Sequence, residues 1–161
     1  ALHDLADEED ASAVAEGIVA ARTRGPIRTT TQLARLVLAA KGLPPRHWRE
    51  ALGADAGALH PAAKTFQALR ILVNDELGSL SRLLAVAPDC LKPGGRIGIL
   101  SFHSGEDRLV KGSFRDGLRG GVYDAVADDV LRPSVAEVRS NPRAAPARLR
   151  WARRTNQEGQ T

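Results

Sequence analysis

The segment RIGILSFHSGEDR, residues 96–108, carries the side chains whose types and spacing best suit chemistry in this chain. An apolar run ends at Ser101, and His103 and Ser104 follow after one phenylalanine. Hydroxyl and imidazole groups bind polar ligands and transfer protons. In open α/β sheets, ligands bind beyond the carboxyl ends of the strands. This position therefore predicts that the three residues border a ligand pocket.

Two other interpretations of the same segment stay open. Ser104 is suited to cap a following helix, because Ser104 to Asp107 forms a loose capping box. Ser101 and His103 share a strand face, as a Ser–His hydrolase would require. The hydrolase interpretation is the weaker one, because the sequence shows no Gly-x-Ser-x-Gly elbow and no evident orienting acid. A helix cap at Ser104, by contrast, is compatible with a pocket.

Basic residues indicate a partner that is rich in phosphate. Residues 132–154 contain seven arginines and a single acid, Glu137, whereas residues 1–16 contain six acids and no lysine or arginine. A clustered basic end favours nucleic-acid binding, although a solvated charged surface is an alternative interpretation of the same run. The predicted RNA-binding residues are His60, Lys64, Arg70, Arg108, Lys111, Arg143, Arg148, Arg150 and Arg154.

The composition argues against several classes of protein. The single cysteine, Cys90, excludes an internal disulfide framework and favours a reducing compartment. The four histidines are scattered and lack the ligand spacing of a zinc site, so no metal site is predicted. No apolar run approaches the roughly 18 to 20 residues of a membrane span, so no membrane partner is expected.

Hydrophobic spacing predicts the helices that position these residues. Helices are predicted over residues 7–24 and over a second segment that ends just before Gly42, for which Thr29, Thr30 and Thr31 offer an N-cap. A short helix around Trp48 is one alternative for the loop that follows. A long helix is predicted from residue 60 to Pro88, either continuous or broken near Asn74, with its apolar stripe against a sheet. The stripe consists of Phe66, Leu69, Val73, Leu77, Leu80 and Leu84.

The sheet is predicted from shorter signals. Residues 97–100 form a nearly continuous apolar run, which is typical of a strand buried on both faces. A helix is predicted over residues 105–118, a short capped helix after Ser134, and a last strand around Trp151 in which arginines occupy one face. Two or three strands do not make a self-sufficient α/β sheet, so this order of elements indicates the second half of a doubly wound domain.

Longer segments of the sequence resemble a known family. The segments HPAAKTFQALRILVNDELGSL, LKPGGRIGILSFHSGEDRLVK and RPSVAEVRSNPRAAPARLR resemble, in this order, the second half of the bacterial-type cytosine-N4 methyltransferases of small-subunit ribosomal RNA. The segment GIVAARTRGPIRTTTQLARLV is similar to the helical insertion of that family. The resemblance extends from about Ala15 to Arg154.

The resemblance implies an α/β fold, namely the second half of a class I, Rossmann-like methyltransferase domain preceded by a helical insertion. It places the insertion in residues 1–58 and the C-terminal part of the domain, with its basic segment, in residues 59–161. It implies transfer of a methyl group from S-adenosylmethionine to the N4 amine of a cytosine in small-subunit ribosomal RNA. Ser101, His103 and Ser104, with Asn74 and Asp75 nearby, would border the pocket, and none of them is assigned as the catalytic base.

The same resemblance implies that the donor site lies outside this chain. The Gly-rich loop and the acidic residue that hold S-adenosylmethionine in class I methyltransferases would precede Ala1, so the chain alone is not expected to bind it. We expect a fragment or one half of a split enzyme, whose partners would be small-subunit ribosomal RNA or a pre-ribosomal particle, and a second chain that carries the donor site. A non-catalytic RNA-binding or ribosome-assembly subunit is the alternative. The family occurs in bacteria and in organelles, so the cytoplasm and an organellar matrix or stroma both stay open.

Overall fold

The computed structural model describes residues 1–53 and 58–156. Two compact units, Ala1–Asn74 and Asp75–Thr161, divide the chain. The first unit is helical in its described part. Its helices are α1 (Leu2–Ala6), α2 (Ala11–Arg24), α3 (Thr30–Ala40), α4 (Trp48–Leu52) and α5 (Ala63–Asn74).

The start of α2 differs from the prediction, whereas α3 confirms it. Asp7 has φ 50° and lies in the left-handed region, so a helix cannot run through it from residue 7. Glu8 is buried and accepts a hydrogen bond from Lys41 Nζ at 2.6 Å. This acid therefore lies before α2 and does not belong to an exposed face of the helix, as the prediction of a helix from residue 7 implied. Thr29 caps α3 by accepting the N–H of Gln32, as its sequence position predicts.

Helix α5 buries a different face from the predicted one. Thr65, Ala68 and Ile71 are buried, whereas Val73 is 80% exposed, so the prediction that Val73 is buried against the sheet is wrong. Phe66 packs against the helical core of its own unit. That core consists of Val14, Val37 and Ala62, with Leu2, Ile18, Leu33, Ala34 and Ala40 around it.

A break in the chain direction explains this error. Asp75 has φ 48° and separates α5 from the next helix, so the 3–4 spacing of the apolar stripe does not describe one continuous face. The alternative of two helices that meet near Asn74 is thereby confirmed. The compact units divide here, after Asn74, whereas the domain boundary predicted from the family resemblance, between residues 58 and 59, stays a prediction.

The second unit combines three strands with helices. Its elements are α6 (Glu76–Cys90), β1 (Arg96–Ser101), α7 (Ser104–Arg119), β2 (Tyr123–Val126), α8 (Val135–Ser140), a single 3₁₀ turn (Pro142–Ala144) and β3 (Arg148–Arg154). The strand order is β1-β3-β2, and β3 is antiparallel to both neighbours. Strands β1 and β2 therefore run parallel to each other, with α7 as the connection between them.

Two local predictions can be compared with these elements, and one strand was not predicted. Ser134 caps α8 by accepting the N–H of Glu137, which confirms the predicted cap. The predicted end of the long helix is wrong by two residues, because Pro88 lies in the last turn of α6 and the helix continues to Cys90. Strand β2 has no counterpart in the prediction, since its four residues, YDAV, carry little alternation.

The sheet has one packed face and one open face. Ile97 and Ile99 pack on a core formed by α6, α7, β2 and β3, and the buried members of that core are Leu84, Val110, Phe114, Tyr123 and Ala152. On the opposite face Gly98 is exposed and Leu100 is 55% exposed. The prediction that this strand is buried on both faces is therefore wrong within the part of the chain that the structure describes. Among the same residues, no helix has the length and apolar character that a membrane span requires.

Candidate functional site

The end of strand β1 separates the predicted pocket residues onto two sides of the sheet. Ser101 is 3% exposed and lies on the packed face, where its hydroxyl donates to the carbonyl oxygen of Arg148 at 3.3 Å. Leu100 and Phe102 lie on the other side and are about half exposed, at 55% and 52%. Because neighbouring residues of a strand point to opposite faces, the structure turns Ser101 away from the open face.

His103 forms the N-cap of helix α7. Its backbone is extended, with φ −135° and ψ 162°, and its Nδ1 atom accepts the N–H of Glu106 at 3.3 Å. The Glu106 carboxylate in return accepts the N–H groups of Phe102 at 3.0 Å and of His103 at 3.4 Å. The capping box is therefore His103–Glu106, and the prediction of a cap at Ser104 is wrong by one residue, because Ser104 already belongs to the helix.

This cap fixes the tautomer of the His103 ring. Because Nδ1 accepts a hydrogen bond, the proton of the neutral ring is on Nε2. Nε2 lies 3.4 Å from Glu106 Oε1, but the two atoms lack the alignment of a hydrogen bond, and Nε2 is buried without a hydrogen-bond partner in the structure. In this arrangement the ring offers no free basic nitrogen to a substrate.

The other two predicted pocket residues lie at the junction between α5 and α6. Asn74 is the last residue of α5, and Asp75 follows in the left-handed conformation. The Asp75 carboxylate accepts a hydrogen bond from Arg82 Nη2 at 2.9 Å. Gly78 leaves the space for that carboxylate, since a Cβ atom at this position would lie 2.3 Å from Asp75 Oδ1. Gly78 is thus needed beside Asp75, although the sequence alone suggests only a weakened helix.

A groove of about 560 Å³ lies directly beyond the carboxyl end of β1. Its apolar floor includes Leu100, Phe102, Leu131 and Leu149, and its rim carries Arg132 and Arg143 together with Glu137 and Asn141. Leu131 is paired with Leu149 through a backbone bridge, which joins the 131–133 segment to the sheet. Exposed apolar side chains that are bordered by cations suit a planar ring with phosphate groups beside it.

The groove contains few of the residues that the sequence singled out. Of the predicted pocket and RNA-binding residues, Arg143 lines it, whereas Ser101, His103 and Ser104 do not. Sequence reasoning missed Phe102 and Leu131. The position of Phe102, an aromatic residue directly after the end of a strand, was a signal that could have indicated it. Leu131 belongs to a segment without periodic spacing, so the sequence contains no signal for it.

Two of the predicted RNA-binding arginines have structural roles. Arg150 is 8% exposed and binds the Asp107 carboxylate with two hydrogen bonds, Nε–Oδ1 at 2.7 Å and Nη2–Oδ2 at 3.1 Å. The Arg154 guanidinium donates to the carbonyl oxygens of Pro88 and Leu91, at the end of α6. Both guanidinium groups therefore have acceptors within the protein, and phosphate contact by Arg150 or Arg154 stays a prediction.

The ion pair between Arg150 and Asp107 also sets the charge state of that carboxyl. Hydrogen bonds from Arg150 hold the pKa of Asp107 below its usual range, against the opposing effect of burial, and the charges of Arg150, Arg148 and Lys111 act in the same direction as the hydrogen bonds. Burial raises the pKa of Tyr123, whose hydroxyl has no hydrogen-bond partner in the structure. Asp107 is thus a structural anion rather than a proton acceptor.

The remaining predicted RNA-binding residues are divided between the units. In the second unit Arg108 and Arg143 are exposed, and Arg148 and Lys111 are half-buried. Trp151 is half-buried, and the Arg96 guanidinium lies 5.7 Å from its ring centroid.

In the first unit the predicted RNA-binding residues are His60, Lys64 and Arg70. His60 accepts the N–H of Ala62 and lies edge-on to Trp48. Lys64 donates to the carbonyl oxygen of Asp7 at 2.9 Å, and Arg70 is exposed. RNA binding by these residues stays a prediction.

Comparison with known proteins gives consistent matches. Residues 1–155 match the sequence model of the MraW methylase family. Proteins named ribosomal RNA small subunit methyltransferase H from Crocosphaera subtropica and Acidobacterium capsulatum are 47% and 42% identical over 95% and 94% of this chain. A protein of the same name from a Synechococcus strain is 47% identical over 94% of it. The matched region covers 44%, 46% and 43% of these relatives, so the chain spans less than half of their length.

Proposed function

This chain belongs to the MraW methylase family, and from that premise we propose that it supplies the RNA-binding side of a small-subunit ribosomal RNA methyltransferase. The reaction we propose for the complete enzyme is transfer of a methyl group from S-adenosylmethionine to the N4 amine of a cytosine. The observation that carries the proposal is the groove beyond the carboxyl end of β1, with its apolar floor and its arginine rim.

The groove supports an unpaired base as the bound group. Phe102 presents a half-exposed aromatic ring at the strand end, and Leu100 and Leu131 extend the apolar surface beside it. A base that is splayed out of its stack gains contact area on such a surface, and the adjacent phosphates would meet Arg132 and Arg143. A base held inside a duplex would not reach the floor, so the proposal requires a single-stranded or flipped cytosine.

The chemistry of the cytosine amine makes orientation the main task of such a groove. The lone pair of this amine is delocalised into the ring, so it is a poor nucleophile. Holding the amine in line with the reacting carbon lowers the barrier, because orientation is provided in advance. We do not assign His103 as a proton acceptor, since its Nδ1 atom already accepts the N–H of Glu106.

The described residues do not fit the methyl donor that the family implies. The backbone amides after β1 are bonded to the Glu106 carboxylate, and no Gly-rich turn follows β1 or β2 in the described chain. The glycines of the KPGG turn precede β1, and Gly94 donates its N–H to the carbonyl oxygen of Arg154. We therefore propose that the donor is held by residues other than those described, and we derive no step through it.

The salt dependence of RNA binding tests this function. The chain is titrated with a single-stranded fragment of small-subunit ribosomal RNA over a range of salt concentrations. Replacing Arg132 and Arg143 together by alanine is expected to flatten the slope of log K against log salt by about 1.4, because each phosphate contact on a single strand contributes about 0.7. Alanine at Arg115 and Arg119, which lie exposed on α7, is the charge-matched control.

Two outcomes would count against the proposal. An equal loss of slope in both double variants would show that binding follows net charge and not the groove. RNA binding through the groove without any methyl transfer, after addition of a chain that binds the donor, would favour the non-catalytic RNA-binding subunit instead.

A further inference from the structure

Three side chains of the second unit form a cluster at the N-terminal end of helix α7. Glu76 comes from the first turn of α6, and His103 and Glu106 come from the capping box of α7. One ligand atom of each residue lies within 4.8 Å of those of the other two. We propose that these three side chains form a binding site for a divalent transition-metal ion of the zinc type.

The Glu106 carboxylate is already oriented for this role. Its Oε2 atom accepts the backbone N–H groups of Phe102 and His103. Its Oε1 atom faces the imidazole, 3.4 Å from His103 Nε2. That separation is close to the edge of a tetrahedron around zinc, which is about 3.3 Å for bonds of about 2.0 to 2.1 Å. Backbone hydrogen bonds to the second oxygen of a ligating carboxylate are a common way of fixing its orientation.

The His103 ring gives an independent indication of a ligand. Its side chain is 9% exposed, and Nε2 has no hydrogen-bond partner in the structure although Glu106 Oε1 lies 3.4 Å away. A buried polar atom without a partner costs free energy, so a group that binds Nε2 would relieve that cost. A cation between one imidazole and two carboxylates also offsets the charge of the two acids.

Binding of a metal requires a change of tautomer. In the metal-free arrangement the ring proton is on Nε2, because Nδ1 accepts the N–H of Glu106 at 3.3 Å. An ion bound at Nε2 moves that proton to Nδ1 and ends this long cap bond. No net proton is released by the ring, and the lost bond reduces the affinity, so we expect micromolar rather than tighter binding.

The ligand set favours zinc over magnesium and manganese. Imidazole nitrogen suits zinc and the later transition metals, whereas magnesium prefers oxygen ligands only. Three protein ligands leave one position of a tetrahedral ion open. The sequence did not indicate this site, because Glu76 joins His103 and Glu106 from a different helix and no short ligand motif results. The inference does not depend on RNA binding or on methyl transfer.

Calorimetric titration of the tag-free chain with zinc chloride tests the site. The titration uses a Cys90→Ser background, because Cys90 is exposed and a free thiol binds zinc by itself. His103→Asn and Glu106→Gln each remove a metal ligand but keep a residue that is able to form the capping box. Glu76→Gln removes the third ligand. Glu137→Gln, on α8, is the matched control, and circular dichroism confirms folding of each variant.

The proposal predicts saturable binding of one zinc ion per chain, at least about tenfold weaker in each of the three ligand variants and unchanged in the control. Magnesium is expected to bind at least about tenfold more weakly than zinc. The ring ¹⁵N shifts of His103 should change from those of the Nε2–H tautomer to those of the Nδ1–H tautomer on loading. No saturable zinc binding, or zinc affinities of the three ligand variants within about twofold of the parent, would overturn the proposal.

Discussion

Arg150 of strand β3 and Asp107 of helix α7 form a two-bonded ion pair that joins the middle strand of the sheet to the helix packed on it. The arginine side chain is 10% exposed and the aspartate side chain 16% exposed. Arg150 lies opposite Ile99 of β1, so its guanidinium passes over the packed face of the sheet. One of the arginines that were predicted to bind RNA therefore joins a strand to a helix within the fold.

Removal of the Arg150 guanidinium should destabilise the chain. We expect Arg150→Met to lower the free energy of unfolding by roughly 3 kcal/mol, because it leaves the Asp107 carboxylate largely buried and unpaired. Urea denaturation followed by circular dichroism measures this change. Arg115→Met, at an exposed position of helix α7, should change the free energy of unfolding by less than about 0.5 kcal/mol. A loss below about 0.5 kcal/mol in Arg150→Met as well would contradict the structural role of the pair.

The same pair predicts a pH dependence of stability. The pKa of Asp107 is lowered in the folded chain by its hydrogen bonds to Arg150. The contribution of the Asp107 carboxylate to the free energy of unfolding is therefore complete above the ordinary aspartate pKa of about 3.9. It is lost as the pH falls through the lower pKa of the folded state. The stability difference between the parent and Asp107→Asn should shrink when denaturation is measured from about pH 6 down to about pH 2. A stability difference between the two proteins that stays constant over this range would show that the charge of the Asp107 carboxylate does not contribute to stability.

Two glycines of helix α7 should respond to alanine in opposite directions. A Cβ atom at Gly112 would meet nothing within 4 Å, so Gly112→Ala should stabilise the chain by about 0.5 to 1 kcal/mol. A Cβ atom at Gly117 would lie 2.5 Å from the Tyr123 ring, which packs edge-on against Phe114. Gly117→Ala should therefore destabilise it by roughly 1 to 3 kcal/mol. Thermal unfolding of the two variants measures both changes. Equal shifts of the melting temperature with the same sign would contradict the packing described.

The proposed function also predicts how the chain behaves with the methyl donor. Isothermal titration of the chain with S-adenosylmethionine should give no saturable heat up to about 1 mM, because the amides after β1 are occupied by Glu106. Addition of a chain that carries a Gly-rich donor loop should restore binding. Micromolar binding by this chain alone would reveal a donor site among the residues assigned here to the RNA side.

Local signals in the sequence predicted those features that depend on a few neighbouring residues. The Thr29 cap of α3 and the Ser134 cap of α8 follow from hydroxyls placed before helical spacing, and both form as predicted. The cap at His103 was missed by one residue, because the sequence pattern for a capping box favours a hydroxyl over an imidazole. Strand β3 was predicted correctly, since its residues alternate along the chain.

Features that depend on distant partners were not predictable in the same way. Val73 fits the apolar spacing, yet it is exposed, because the left-handed Asp75 interrupts the helix just after it. Arg148 and Arg150 share one face of β3 as expected, but that face is the packed one, where the Asp107 carboxylate of α7 binds Arg150. The groove combines β1, β3 and the segment before α8, and no local spacing indicates that these elements meet.

The most direct test of the central claim is to map where RNA contacts the chain. The chain is crosslinked by ultraviolet light to a single-stranded fragment of small-subunit ribosomal RNA, digested, and analysed by mass spectrometry for residues that carry a nucleotide. We predict crosslinks at Phe102 and at those residues between 131 and 149 that line the groove, and their loss when Arg132 and Arg143 are replaced by alanine. Crosslinks confined to residues 1–74, or unchanged by those replacements, would contradict the assignment of the groove to RNA.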